Sequence, residues 1–322
     1  MSTEAVVTDH TTPPGGLRRL VSWTAFPVLL AAALFATTTL VGRGWEPWQA
    51  FGPVVFTTFL VILALERLFP FRERWLRSHR DIRVDASYAV LDSIGLELLR
   101  PALYTAAVAV GGWLATRGDS GVWPQNWPLM AELALALVIA EFPKYWVHRL
   151  EHTRDWLWRF HAPHHSVPRL YWLNASRFHP IDIGLDTIVG IGALVLLGCS
   201  DYVIALFMVV GTVHGAFQHA NLELRCGPLN WIFSMAELHR WHHSKVTREA
   251  NHNYGQNLIV WDIVFGTRYL PQDREPPTDV GLDGMPHYPR GFLAQLAAPF
   301  RWSRVKAEAA PRAAEASLGG TD

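Results

Sequence analysis

The chain has 322 residues, half of them hydrophobic, with 15 tryptophans and only 17% charged side chains. Basic and acidic residues balance at 28 each, and a net-neutral chain gives no footing for a nucleic-acid partner. Two cysteines, Cys199 and Cys226, are too few for a disulfide framework or a cysteine-rich zinc site and read as buried and inert.

In chain order, residues 1–17 are rich in Thr, Pro and Gly and read as a disordered tail. Arg18 and Arg19 then precede an apolar run from Trp23 to Val41, long enough to cross a bilayer and too long for the core of a signal peptide. A second run covers Phe51 to Leu65. A third covers Ala86 to Leu114, with a break at Arg100-Pro101, and a fourth Leu129 to Val147. Ile183 to Cys199 and Tyr202 to Phe217 form a shorter apolar hairpin that either spans or dips into the membrane. Basic residues set the orientation. Arg72, Arg74, Arg77, Arg80 and Arg83 crowd the loop after the second run, whereas the loops after the first and third carry only Arg43 and Arg117. The N-terminus, the 70–85 loop and the end of the fourth run are thus expected in the cytoplasm. The expected fold is all-α: a multispanning helical bundle of about four spans plus a hairpin, over residues 18–303, with a cytoplasmic histidine-rich cap. Residues 291–302 are expected to lie on the membrane as a short helix, with Phe292, Leu296 and Phe300 on one side. Residues 304–322 are expected to be a disordered tail. Asn174-Ala-Ser176 fits a glycosylation sequon but falls on the expected cytoplasmic side.

Twelve of the fifteen histidines lie between residues 148 and 252. His148 and His152 are four apart. His161, His164 and His165 stand at i, i+3 and i+4, and His239, His242 and His243 repeat that pattern. On a helix such residues share a face, so each cluster is expected to aim its imidazoles at one spot. Pro163 suits a first helical turn and puts the second cluster at a helix start. Packing so many titratable rings together has no structural benefit and would be repulsive if they were protonated. Neutral imidazole is a ligand for zinc, copper, iron and nickel. Eight clustered rings exceed what one tetrahedral ion needs, which argues for two metals or for one with many outer partners. Glu151, Asp155, Glu237 and Glu249 are candidates to orient the rings through their far nitrogens. Arg149 and Arg240 are expected to pair with those carboxylates, bind lipid phosphate or reach to the interface. The polar stretch 169–182, beside the clusters, is a candidate for reading a lipid head group.

The motifs HRLEH (148–152), HAPHH (161–165), HRWHH (239–243) and NHNYG (251–255), with RFHP (177–180), QHAN (218–221) and NLIVWDIVFGT (257–267), resemble the fatty acid hydroxylase and sterol desaturase superfamily of membrane di-iron enzymes. The resemblance spans roughly residues 50–300. It implies two iron ions, for which zinc can substitute in preparations, held by His148, His152, His161, His164, His165, His239, His242 and His243. His219 matches a further family histidine. His214 joins the expected ligands although its spacing of five from His219 is loose for one helical face. His179 and His252 sit in recurring contexts, behind the ligands or in the cavity.

The resemblance further implies an oxidoreductase that uses dioxygen to attack an unactivated C–H bond of a membrane lipid, fatty-acyl, sterol-like or aminolipid. The WLNASRFHP stretch (172–180) looks most like bacterial members, including those that hydroxylate ornithine lipids. A bacterial location would be the inner membrane. No haem domain, flavin fingerprint or iron–sulfur cysteine set is visible, so electrons must come from a separate reductase, cytochrome or ferredoxin. A desaturase with the same site is the alternative within enzymes. A non-enzymatic metal-binding or transport protein is the alternative outside them, disfavoured because the histidines follow the spans. HRLEH also lacks the order of a HExxH zinc protease.

Overall fold

The computed structural model describes residues 15–116 and 122–310. It is helical throughout, with three isolated backbone bridges and no strand among the described residues. Six long helices form the bundle: α1 (Gly16–Gly42), α2 (Pro47–Leu68), α3 (Ile82–Ala115), α4 (Leu129–Thr153), α6 (Pro180–Leu196) and α7 (Asp201–His219). Short helices build the cap: α5 (Asp155–His165), α8 (Ala236–His242), α9 (Thr247–Ala250), α10 (Val260–Val264), α11 (Phe292–Ala297) and α12 (Trp302–Ala309).

Local chemistry sets several of the ends. Pro47 and Pro180 occupy first-turn positions, where the missing N–H costs nothing. The Ser200 hydroxyl accepts from the Val203 N–H and caps α7. Proline does not stop α3, which runs through Pro101 without the break expected there. One lost backbone bond in a helix of 34 residues bends it at most. Pro163 likewise sits in the last turn of α5, so the second histidine cluster ends a helix instead of starting one. The helix stops two residues later, so little further pairing is lost.

Helix α7 is the axis of the molecule, with 72% of its apolar stretch buried against protein, compared with 22% for α1 and 28% for α2. One core joins α1, α2 and α7 through Phe26, Ile62, Val213 and Phe217. A second joins α4, α6 and α7 through Leu137, Leu194 and Phe207. Among the described residues, α1, α2 and α7 are long and apolar enough to cross a membrane. Helices α3, α4 and α6 are not among them. Helix α3 carries Asp85, Asp92 and Glu97, α4 carries Glu132, Glu141 and Lys144, and α6 has only 17 residues.

Buried carboxylates tie the cap to the bundle. Glu66 on α2 accepts the backbone N–H groups of Trp172 and Asn221 at 2.8 and 2.7 Å. Glu141 on α4 accepts those of Gln256 and Asn257. Arg169 pairs with Asp81 at 2.6 Å, and Arg177 with Asp85. The 169–182 stretch is therefore a buried strap, and the Asn174 side chain is inaccessible to glycosylation. At the C-terminus Pro299 lies in a 3₁₀ turn, so α11 and α12 are separate helices and Leu293 and Phe300 carry the exposed apolar surface. Order continues to Ala309 because Trp302, Val305 and Ala309 pack into a core with Ala162, so the disordered tail expected from 304 is helical at its start. Of the expected N-terminal tail, Gly16 and Leu17 belong to α1, and residues 1–14 lie outside the described residues, as do 311–322.

Candidate metal centre

Nine of the ten expected ligands gather into two adjoining groups. His148, His152, His161, His165 and His242 form one; His164, His219, His239 and His243 form the other. In each group one donor atom per residue lies within 4.8 Å of all the rest. The expectation that each cluster serves one spot is corrected. On both α5 and α8 the residues at i and i+4 enter one group and the residue between them enters the other. His161 and His165 thus part from His164, and His239 and His243 from His242. The rings of His165 and His243 stack at 4.3 Å where the groups meet.

The far ring nitrogens define what the near ones offer. His148 Nδ1 donates to the Tyr254 carbonyl at 2.7 Å and His242 Nδ1 to the His252 carbonyl at 2.8 Å. A carbonyl can only accept, so the proton sits on Nδ1 and Nε2 presents a lone pair. His161 Nδ1 donates to Asp182 Oδ2 at 2.9 Å, with Glu151 farther off at 3.7 Å. His219 Nδ1 donates to Asn174 Oδ1 at 2.8 Å. The Asn174 amide points its nitrogen at the Arg169 carbonyl, which leaves its oxygen for the histidine.

This arrangement forces a conflict that a cation resolves. His148 Nε2 and His161 Nε2 face each other at 3.1 Å, and His161 Nε2 also faces His165 Nε2 at 3.2 Å. Lone pairs at that range repel unless a positive ion lies between them. Two nitrogens bound at right angles to an ion about 2.1 Å away stand about 3 Å apart, the spacing seen here. In the second group His239 Nε2 lies 2.9 Å from His219 Nε2 and 3.0 Å from His243 Nε2. Burial holds His164, His165, His242 and His243 well below the ordinary imidazole pKa, and the neighbouring rings push the same way. The donor set is therefore neutral, convergent and all nitrogen, which fits divalent iron as well as zinc.

His214 does not join either group. Its ring packs edge-on to Phe26 at 5.4 Å and beside Phe233, buried in the core around α7. His179 caps α6 by accepting the Ile181 N–H, and its other nitrogen reaches the Leu296 carbonyl. His252 backs the centre through its carbonyl, while its ring lies against Tyr269. Of the four candidate orienting carboxylates, only Glu151 is near. Asp155 holds Trp302 and Lys306, Glu237 accepts from Cys226 and Asn230, and Glu249 pairs with Ser244 and Arg274. Arg240 is not at a surface. It is buried over the Phe71 ring and donates to the Ala220 and Leu222 carbonyls. The partners that residue types did not reveal are Asp182, Asn174 and two main-chain carbonyls. A polar-rimmed cavity of about 280 Å³ reaches His152 and His165 from the outside, past Asp155, Trp158, Thr247 and Asn251.

The fatty acid hydroxylase family model matches residues 133–267, which contain both histidine groups. The ornithine lipid hydroxylase OlsE of Rhizobium tropici is 39% identical over 289 residues, covering 87% of this chain and 84% of that protein. An alkylglycerol monooxygenase of Xenopus tropicalis is 24% identical, over 66% of this chain and 46% of that protein. A very-long-chain aldehyde decarbonylase, GL1-11, of Oryza sativa subsp. indica is 28% identical, over 43% of this chain and 53% of that protein. No solved structure matches. Nine clustered imidazoles inside the matched segment, and a relative aligned along most of both chains, place the protein in the fatty acid hydroxylase family.

Proposed function

We propose that the protein is an integral membrane enzyme that hydroxylates a membrane lipid with dioxygen, using two iron ions, one in each histidine group. The observation that carries this reading is the confrontation of the His148 and His161 lone pairs at 3.1 Å, with His165 Nε2 beside them and the Nε2 atoms of His219, His239 and His243 gathered as closely in the second group. Two adjoining nitrogen nests suit a metal pair, and the names of the relatives supply lipid oxidation as the reaction class.

When bound, the metal pair would supply the redox chemistry that activates dioxygen, with electrons from an external reductase, cytochrome or ferredoxin. The chain's own residues prepare the site. His148, His152, His161, His165 and His242 would hold one ion, and His164, His219, His239 and His243 the other. Asp182, Asn174 and the Tyr254 and His252 carbonyls keep Nδ1 protonated and the rings aimed inward. Burial of eight of the nine rings shields most of the reacting centre from bulk water and limits side reactions, leaving the cavity at His152 and His165 as its opening. The substrate reaches the site from the bilayer held against α1 and α2, with the cap on the cytoplasmic side, in the inner membrane of a bacterium.

The test compares lipid mass spectra of cells with and without the gene for this chain. Gain of one oxygen on one lipid class is the expected result, lost in His164→Ala and His242→Ala while the protein still inserts. An unchanged lipid profile alongside full metal occupancy would refute the reading.

A further inference from the structure

A second cavity, of about 180 Å³, opens between α3 and α6, apart from the histidines. Its walls are apolar: Leu91, Leu96 and Leu99 on one side, Pro180 and Ile183 on the other. Two polar residues interrupt the pattern, and the Thr187 hydroxyl is already spent on the Ile183 carbonyl. Asp92 lines this cavity at 8% exposure, and neither of its carboxylate oxygens has a hydrogen-bond partner. The Phe178 backbone N–H lies toward it without the geometry of a bond. A carboxylate taken out of water is costly unless a cation or donors meet it. Among the described residues, Arg177 pairs with Asp85, Arg169 with Asp81 and Lys144 with Asp186.

The two unpartnered oxygens of the Asp92 carboxylate can each accept an N–H of a primary ammonium. The outer face of α3 exposes Val90, Ile94 and Leu98, so the cavity sits beside surface suited to lipid chains. Phe178 is its partition from the metal centre, for the same residue stacks its ring on His164 at 4.3 Å.

We propose that this cavity receives the cationic amine of an aminolipid substrate, with Asp92 as its counter-ion. The proposal rests on the lipid-hydroxylase reading and narrows its substrate class. Asp92 is a specificity residue here and takes no part in the oxidation.

The test uses the full-length, metal-loaded protein in detergent with ornithine lipid and with the same lipid acetylated on its amine. Wild-type protein is expected to favour the free amine by about tenfold or more in KM and in binding read by native mass spectrometry. Asp92→Asn should erase that preference by raising KM and weakening binding for the free-amine lipid selectively. A merely structural role for Asp92 would move both lipids alike, and that outcome overturns the proposal. So does equal binding of the two lipids by wild-type protein, a result that needs no variant to fold. The binding arm needs no turnover, so failure to oxidise any lipid sinks the reaction assignment, while the amine preference still decides the role of Asp92.

Discussion

Asp182→Ala tests whether the metal centre depends on what stands behind its ligands. Asp182 is 3% exposed in the first turn of α6, and its Oδ2 takes the His161 Nδ1 proton at 2.9 Å. Glu151 stands 3.7 Å from the same nitrogen and cannot replace it without moving. Removing the acceptor strands a buried N–H, which costs about 1–3 kcal/mol. If that cost falls on the loaded state, metal affinity drops by about 5- to 150-fold, in line with the usual 10- to 100-fold for such partners. Asp182→Asn keeps an oxygen in place and should lose less, about 2- to 10-fold. Asp155→Asn is the control: Asp155 lies at the surface, holds Trp302 and Lys306, and touches no ligand. The assay is metal per protein by elemental mass spectrometry after graded chelator treatment, with the thermal transition followed in parallel. If Asp182→Ala resists the chelator as well as wild type does, the claim that outer partners tune this centre is wrong.

The remaining expectations concern other parts of the site. His214→Phe should keep wild-type metal content because His214 packs against Phe26 and Phe233 and joins neither histidine group, whereas His219→Ala should lose about half; elemental analysis of both variants separates them. Acidification should destabilise the metal-free protein. The folded-state pKa of His161, His164, His165, His239, His242 and His243 lies below the free value of 6.5, so the unfolded chain binds more protons once pH falls below that value. Each ring can then remove up to about 1.4 kcal/mol per pH unit, and a melting temperature that stays flat from pH 7.5 to 5.5 would contradict the assignment of buried neutral imidazoles. Gly255→Ala should cost about 2 kcal/mol or more. Its added Cβ would fall 2.2 Å from the Leu258 carbonyl oxygen and disturb the loop whose Tyr254 carbonyl orients His148, so both melting temperature and metal content should drop.

The histidine spacing made the centre visible in the sequence, but it concealed how the rings are shared out. Around a helix of 3.6 residues per turn, positions i and i+4 differ by about 40°, while i+3 and i+4 differ by about 100°. His161 and His165 can therefore meet at one ion while His164 looks toward another. The outer partners were harder to see for two reasons. The Tyr254 and His252 carbonyls belong to the main chain and carry no residue signature, and Asp182 reaches His161 only because α6 folds back on α5. Glu141 lies in a run read as apolar and Glu66 just past the end of another, and their value lies in loops that pack on them from far along the chain. His214 misled because a histidine near the end of an apolar helix looks like a ligand until its neighbours prove to be Phe26 and Phe233.

Because α5 and the segment around α8 each contribute to both nests, ordering one nest also orders backbone that carries the other. Filling the first would fix His161, His165 and His242, and with the same two helices would set His164, His239 and His243 in place for the second. Much of the ordering entropy for the second ion is thus already spent, so loading should be positively cooperative. Singly loaded protein should be scarce at every point of a metal titration, with fully loaded molecules rising directly from empty ones.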